Sequence, residues 1–370
     1  MNPNEDVVLL GLRQRKNGAI TEENEEIQRT TKDREVGNEN KALLEEHEDT
    51  LNEEMGSVFK GTVLGDDLTT LAQNAAFKAE NVVRKMIEAG WSVCHFHHLP
   101  KWLQDNDYLL FGHRPPLPSF DACFKSIFRL HTETGNIWTH MLGCLVFIGI
   151  ATCFHLRPHL DVQLPDKMVF GVYFIGAIIC LGFSTLFHTV NCHSEVIGRI
   201  FLKLDYCGIV FLIVGSYVPW LYFVFYCHFK PKLVYVTMMC TLGLMSLMVS
   251  LWDRFSETDW RPFRAGVFTT FALSGIIPTI HFGLLEGWLN AIFQKSLFWL
   301  LLASFLYITG TTLYALRVPE RFYPGKFDIW LHSHQIFHVF VIGGALVHYL
   351  GLSEMAMHRL TLSQCSSVFS

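Results

Sequence analysis

The sequence predicts an all-α integral membrane protein: a seven-transmembrane helix bundle, N-terminus cytosolic and C-terminus extracellular. Three observations carry that expectation. Seven stretches of roughly 20 mostly apolar residues, each long enough to span a bilayer as a helix, follow one another. The segments between them are unequally charged on the two faces. The few ionisable groups inside the stretches fall at matching depths.

The chain begins polar. Its first 60 residues carry eight Lys or Arg and fifteen Asp or Glu, a net of −7 against −5 for all 370 residues, with no aromatic before Phe59. Such a segment buries too little apolar surface to offset its ordering entropy. Residues 1–70 are therefore expected to form a disordered acidic cytosolic tail. Residues 71–130 read as a cytosolic amphipathic and juxtamembrane region. Within it Ala75, Ala79, Val82, Val83, Met86 and Ile87 recur at helical spacing over Ala75–Trp91. That face suits either the inner membrane surface or the bundle's own loops. Arg114-Pro115-Pro116-Leu117-Pro118 then breaks any helix before the bundle.

The spans are expected at Ile137–His155, Lys167–Val190, Ile200–Tyr226, Leu233–Trp252, Phe263–Phe282, Ser296–Leu316 and Phe327–Leu350. They fall in a transmembrane domain at 131–351, followed by an extracellular tail at 352–370. Runs of this length without strict alternation are helices, because lipid offers the backbone no partners. Pro219 and Pro278 are expected to kink theirs. Twelve Lys or Arg fall on the N-terminal face of the spans and six on the other, which places the N-terminus in the cytosol.

Composition also excludes classes. No secretory signal, Walker or Rossmann pattern occurs, and a pI near 6.4 argues against nucleic acid. The ten cysteines contain no Cys-x-x-Cys pair, so neither a disulfide framework nor a cysteine zinc site is expected.

His188 lies near the inner end of the second span, Asp205 near the inner start of the third, and His334 and His338 in the first half of the seventh. Alternating direction brings all four to one depth. Ionisable groups there are costly and functional by default. Imidazoles four apart share a helix face, and three make a zinc set that keeps a fourth position for water, the pattern of catalytic sites. Asp205 is then a base or water-orienting group, and Ser184, one turn before His188, steadies the aspartate, the water or a carbonyl. The blander alternatives are an ion pair for Asp205 and a hydroxyl bonded back to its own helix for Ser184. His281 reads as a packing residue, His332 as a surface or supporting one, and His95, His97 and His98 as a cluster without metal partners. His131, Glu133, Asn136 and His140 either cap the first span with Thr132 or Thr134, or line the site's mouth.

Ser184-x3-His188, Asp205 and His334-x3-His338 resemble the pattern of the progestin and adipoQ receptors and their alkaline-ceramidase relatives. Longer strings resemble the adiponectin-receptor branch: Phe128–His140, Leu186–Val190, Pro219–Tyr222 and Pro324–Trp330, within a similarity running from about Leu99 to Leu350. The resemblance implies a plasma-membrane receptor for an adiponectin-like extracellular hormone, controlling lipid and energy metabolism. It also implies a bound Zn2+ and hydrolysis of ceramide, or a related membrane lipid, to sphingosine and a fatty acid. A cytosolic signalling adaptor would engage the N-terminal region. The competing expectation is a non-catalytic receptor whose zinc is structural. A di-iron oxidase would need more clustered histidines. Glycine spacing leaves a homodimer open.

Overall fold

The structure, a computed structural model, describes residues 91–156, 163–252, 260–293 and 296–361. All lie in one compact unit, Asn81–Ser370. The acidic tail and the amphipathic segment from Ala75 to Gly90 lie outside the described residues.

Among the described residues ten α-helices follow in order: α1 Phe120–Ser126, α2 Thr134–Leu156, α3 Leu164–Val190, α4 Glu195–Val224, α5 Phe229–Leu251, α6 Arg261–Leu273, α7 Ile276–Glu286, α8 Trp288–Phe293, α9 Leu297–Leu316 and α10 Ser333–Thr361. Seven segments among these residues are long and apolar enough to cross a membrane, as expected: α2, α3, α4, α5, the α6–α7 pair, α9 and α10. Starts and stops follow local chemistry. Ser194 caps α4 by accepting from the Ile197 N–H, and Ser119 caps α1 from Ala122.

Two spans differ from expectation. The fifth is interrupted at Ser274-Gly275, which places Pro278 in the first turn of α7, where its missing N–H costs no helical bond. The seventh begins at Ser333 rather than Phe327 and continues to Thr361, so residues 352–361 of the expected tail are helical. A remote carboxylate sets that start. Fully buried Glu320 accepts from the Ser333 N–H at 2.7 Å, from its hydroxyl, and from Asn106 at 3.1 Å. Asp328 accepts from the Leu110 and Phe111 N–H groups at 3.0 and 2.8 Å. The α9–α10 connection is thus stitched to the juxtamembrane segment.

Close approach of α3 and α4 needs glycine. A Cβ on Gly176 would lie 2.5 Å from Phe211 O, and one on Gly208 would lie 2.9 Å from the Cys180 Cα. α10 packs on α2, α4 and α9. The core between them is aromatic: Phe147, Phe170, Tyr173, Phe174 and Trp220 are fully enclosed. α6 and α7 lean on α4, α5 and α8, whereas α9 leans on α10 and α8. Those two groups are therefore joined mainly through the short α8. Cys227, just beyond α4, is disulfide-bonded, a link that the scattered cysteines did not signal.

Candidate metal centre and cavity

Four helices build the site. α3 brings Ser184 and His188 in its last turns, α4 brings Asp205, α10 brings His334 and His338 in its first turns, and α2 closes the fourth side. Sequence spacing predicted the convergence, and the geometry supplies it. The three imidazoles stand 4.8, 4.8 and 5.0 Å apart between ring centres. One nitrogen from each lies within 4.8 Å of the others, so the triad could hold a metal ion. Among the described residues no other group of three His, Cys, Asp or Glu meets that condition. Elsewhere, His95 accepts from the His97 N–H at 3.2 Å and stacks on its ring.

The donor atoms suit a cation. His188 Nδ1 donates to the Glu133 carboxylate at 2.7 Å, which leaves Nε2 buried without a partner. His338 Nδ1 donates to the Asn136 carbonyl at 3.2 Å and lies 3.3 Å from Thr139 Oγ1, which makes its Nε2 the acceptor. Fixing one ring nitrogen as N–H forces the other to be an acceptor, the arrangement that metal-binding histidines use. His140 stacks flat on His338 at 3.4 Å, and Tyr314 meets His334 edge-on at 4.9 Å.

Glu133 is held in turn. Asn136 Nδ2 donates to the same Oε2 at 2.7 Å. Burial alone would raise the Glu133 carboxyl, but His188, Arg114 and Asn136 together hold it well below the usual carboxylate range. Arg114, 4% exposed, clamps the end of α3. Its guanidinium donates to the His188 and Thr189 carbonyls, to Asn191 Oδ1 and to Ser126 Oγ, closing orphan groups of the last helical turn.

Ser184 is buried, with its hydroxyl within interaction reach of the Asp205 carboxylate on α4. Both line one cavity with the triad, of about 1330 Å³. The cavity also reaches α6, α7 and α9, where its apolar lining residues Leu273, Ile276, Phe305 and Ile308 are exposed and neither α6 nor α7 packs closely on α9. It therefore opens sideways between those helices.

Several histidines fall elsewhere. His281 Nδ1 pairs with the Tyr235 hydroxyl at 2.9 Å between α7 and α5, a packing role as expected. His332 is 2% exposed and donates to the Thr132 carbonyl at 3.1 Å, so it is no surface residue. His131 is fully buried between Ser126 O, which accepts from Nε2, and the Glu133 N–H, which donates to Nδ1. Glu133, Asn136 and His140 do reach the site, and Thr134 meanwhile ties the start of α2 to Arg129 and His131. Their signal was polar residues at positions 133, 136 and 140, one face of a helix otherwise apolar. Arg114 had none beyond its prolines.

Residues 128–349 match the family model described as "Haemolysin-III related". The chain is 61% identical over 323 residues to the adiponectin receptor protein of Drosophila melanogaster, covering 86% of this chain and 73% of that one. It is 51% identical over 300 residues to progestin and adipoQ receptor-like protein 1 of Caenorhabditis elegans, covering 81% and 69%. A heptahelical transmembrane protein of Arabidopsis thaliana is 35% identical over 259 residues, 68% of this chain and 77% of that one.

Proposed function

Since this chain belongs to the haemolysin-III-related family, among its adiponectin and progestin–adipoQ receptors, we propose a hormone receptor whose bundle also hydrolyses a membrane lipid amide. The hormone is of adiponectin type, and the lipid is ceramide, cleaved to sphingosine and a fatty acid. The observation that carries the chemistry is the triad, one nitrogen of each imidazole within 4.8 Å of the others, in one cavity with Ser184 and Asp205.

His188, His334 and His338 would hold a zinc ion. Bound zinc supplies Lewis acidity and lowers the pKa of water from ~15.7 to ~7. Asp205 takes a proton as water adds to the acyl carbon and returns it to the departing amine nitrogen, so the C–N bond breaks as the C–O bond persists. Ser184 keeps the aspartate aimed. The apolar cavity takes the tails, and the lateral opening admits a substrate that never leaves the bilayer.

Two observations support a plasma-membrane protein with a cytosolic N-terminus. The positive charge bias favours that face, and the Cys227 disulfide lies beyond the opposite end of α4, which suits an oxidising exterior.

A second reading has its own support: His188 on α3 and His338 on α10 are both fastened to α2, so a shared ion would clamp three helices. Purified protein separates the two. In the catalytic case Asp205→Asn abolishes fatty-acid release from ceramide while zinc content and melting temperature hold. If turnover survives that change, and a chelator lowers only the melting temperature, the ion is a clamp.

A further inference from the structure

The chemistry at the histidine end leaves a second polar cluster in the same cavity without a role. On α9, Tyr307 lies seven residues, ~10 Å, from Tyr314, the residue against His334. On α4, Ser216 lies eleven residues, ~16 Å, beyond Asp205, and on α10, His348 lies ten residues, ~15 Å, beyond His338. Because α9 runs opposite to α4 and α10, all three displacements point the same way, toward the far end of the cavity. Tyr307 is also within electrostatic reach of Tyr217 from α4 and Cys180 from α3.

The hydrogen bonding there is incomplete. The Tyr307 hydroxyl and the Ser216 hydroxyl are both buried with no partner. His348 Nε2 donates to the Ser216 carbonyl at 3.0 Å, which leaves Nδ1 as an acceptor. Two donors and an acceptor thus meet among apolar neighbours such as Leu212, Ala303 and Val341. Plain hydrocarbon at that depth would leave both hydroxyls unmet, which is unfavourable. An oxygen that both accepts and donates would satisfy them.

We propose that the deep end of the cavity is a subsite for a hydroxyl carried part-way along the ligand's acyl chain. Tyr307 donates to the ligand oxygen, whose own proton goes to His348 or Ser216. The preferred ligand class is therefore a hydroxylated long-chain acyl lipid. The inference rests on the lipid-binding reading of the cavity and adds a specificity element to it.

The test uses the full-length protein in detergent with tritiated stearic acid as the probe, displaced by stearic acid or by monohydroxystearic acids bearing the hydroxyl early, midway or late. One positional isomer is expected to bind three- to tenfold more tightly than stearic acid, the worth of one net hydrogen bond. Tyr307→Phe and Ser216→Ala should each bring that affinity ratio toward one. A purely structural role would move both affinities together, and melting curves check folding. If stearic acid binds but no isomer is preferred, water fills the subsite and the inference fails alone. If a preference persists unchanged in both variants, the hydroxyl is read elsewhere. If stearic acid does not bind the wild-type protein, the lipid reading falls and the inference with it.

Discussion

Glu133→Gln changes one carboxylate oxygen to an amide and is the sharpest probe of the triad. In the wild type, Glu133 accepts from His188 Nδ1 and from Asn136 Nδ2 through the same oxygen. Glutamine can still accept from His188, so the tautomer survives, but the bond loses its charge. A charge-assisted hydrogen bond is worth about 1.5–3 kcal/mol net and a neutral one about 0.5–1.5. The expected loss is therefore about 1–1.5 kcal/mol, or close to tenfold in zinc affinity. Glu133→Ala removes the acceptor and frees the ring, so its loss should approach hundredfold. Zinc competition against a chromophoric chelator, on purified protein at fixed pH, reads both numbers. Wild-type affinity in both variants would refute the claim that Glu133 orients His188. An alanine variant no worse than glutamine would refute the role of the acceptor.

Three further outcomes follow from the packing. Arg114→Lys should lower thermal stability by about 2–4 kcal/mol in a detergent melt, because one ammonium cannot replace a buried fork serving four acceptors. Gly176→Leu should abolish a monodisperse peak in size-exclusion chromatography by forcing α3 off α4, whereas Gly149→Ala, with open space around its Cβ, should not. Desolvation, then the Arg114 charge, hold the His131 pKa down to about 3, against about 6.5 in the unfolded chain. His131 then contributes fully above pH 6.5 and loses stability as pH falls from there toward 3, about 2 kcal/mol by pH 5. His131→Gln should flatten that part of the melting-temperature profile.

The span count and the triad were legible because each rests on a local signal: long apolar runs, and histidines where lipid makes them costly. Asp205 and Ser184 were legible because alternating helix direction sets depth. The start of α10 was not, since Glu320, thirteen residues earlier, decides it by capping Ser333. Nor was the split of the fifth span, where an apolar run continues across Ser274-Gly275 while the Tyr217 and Ser274 hydroxyls take the Ala272 and Phe271 carbonyls and Pro278 lacks an N–H. Arg114 was invisible for a similar reason. Two of its four partners are backbone carbonyls, which every residue has, and the other two are a serine and an asparagine far off in sequence.

The sideways opening between the α6–α7 pair and α9 has a kinetic consequence. Ligands that arrive through it diffuse in two dimensions, so their effective concentration is a mole fraction in the surrounding amphiphile. Under the proposed hydrolysis, adding buffer to a sample leaves turnover unchanged, while adding inert lipid at constant volume slows it, as though the bilayer itself were the reaction vessel.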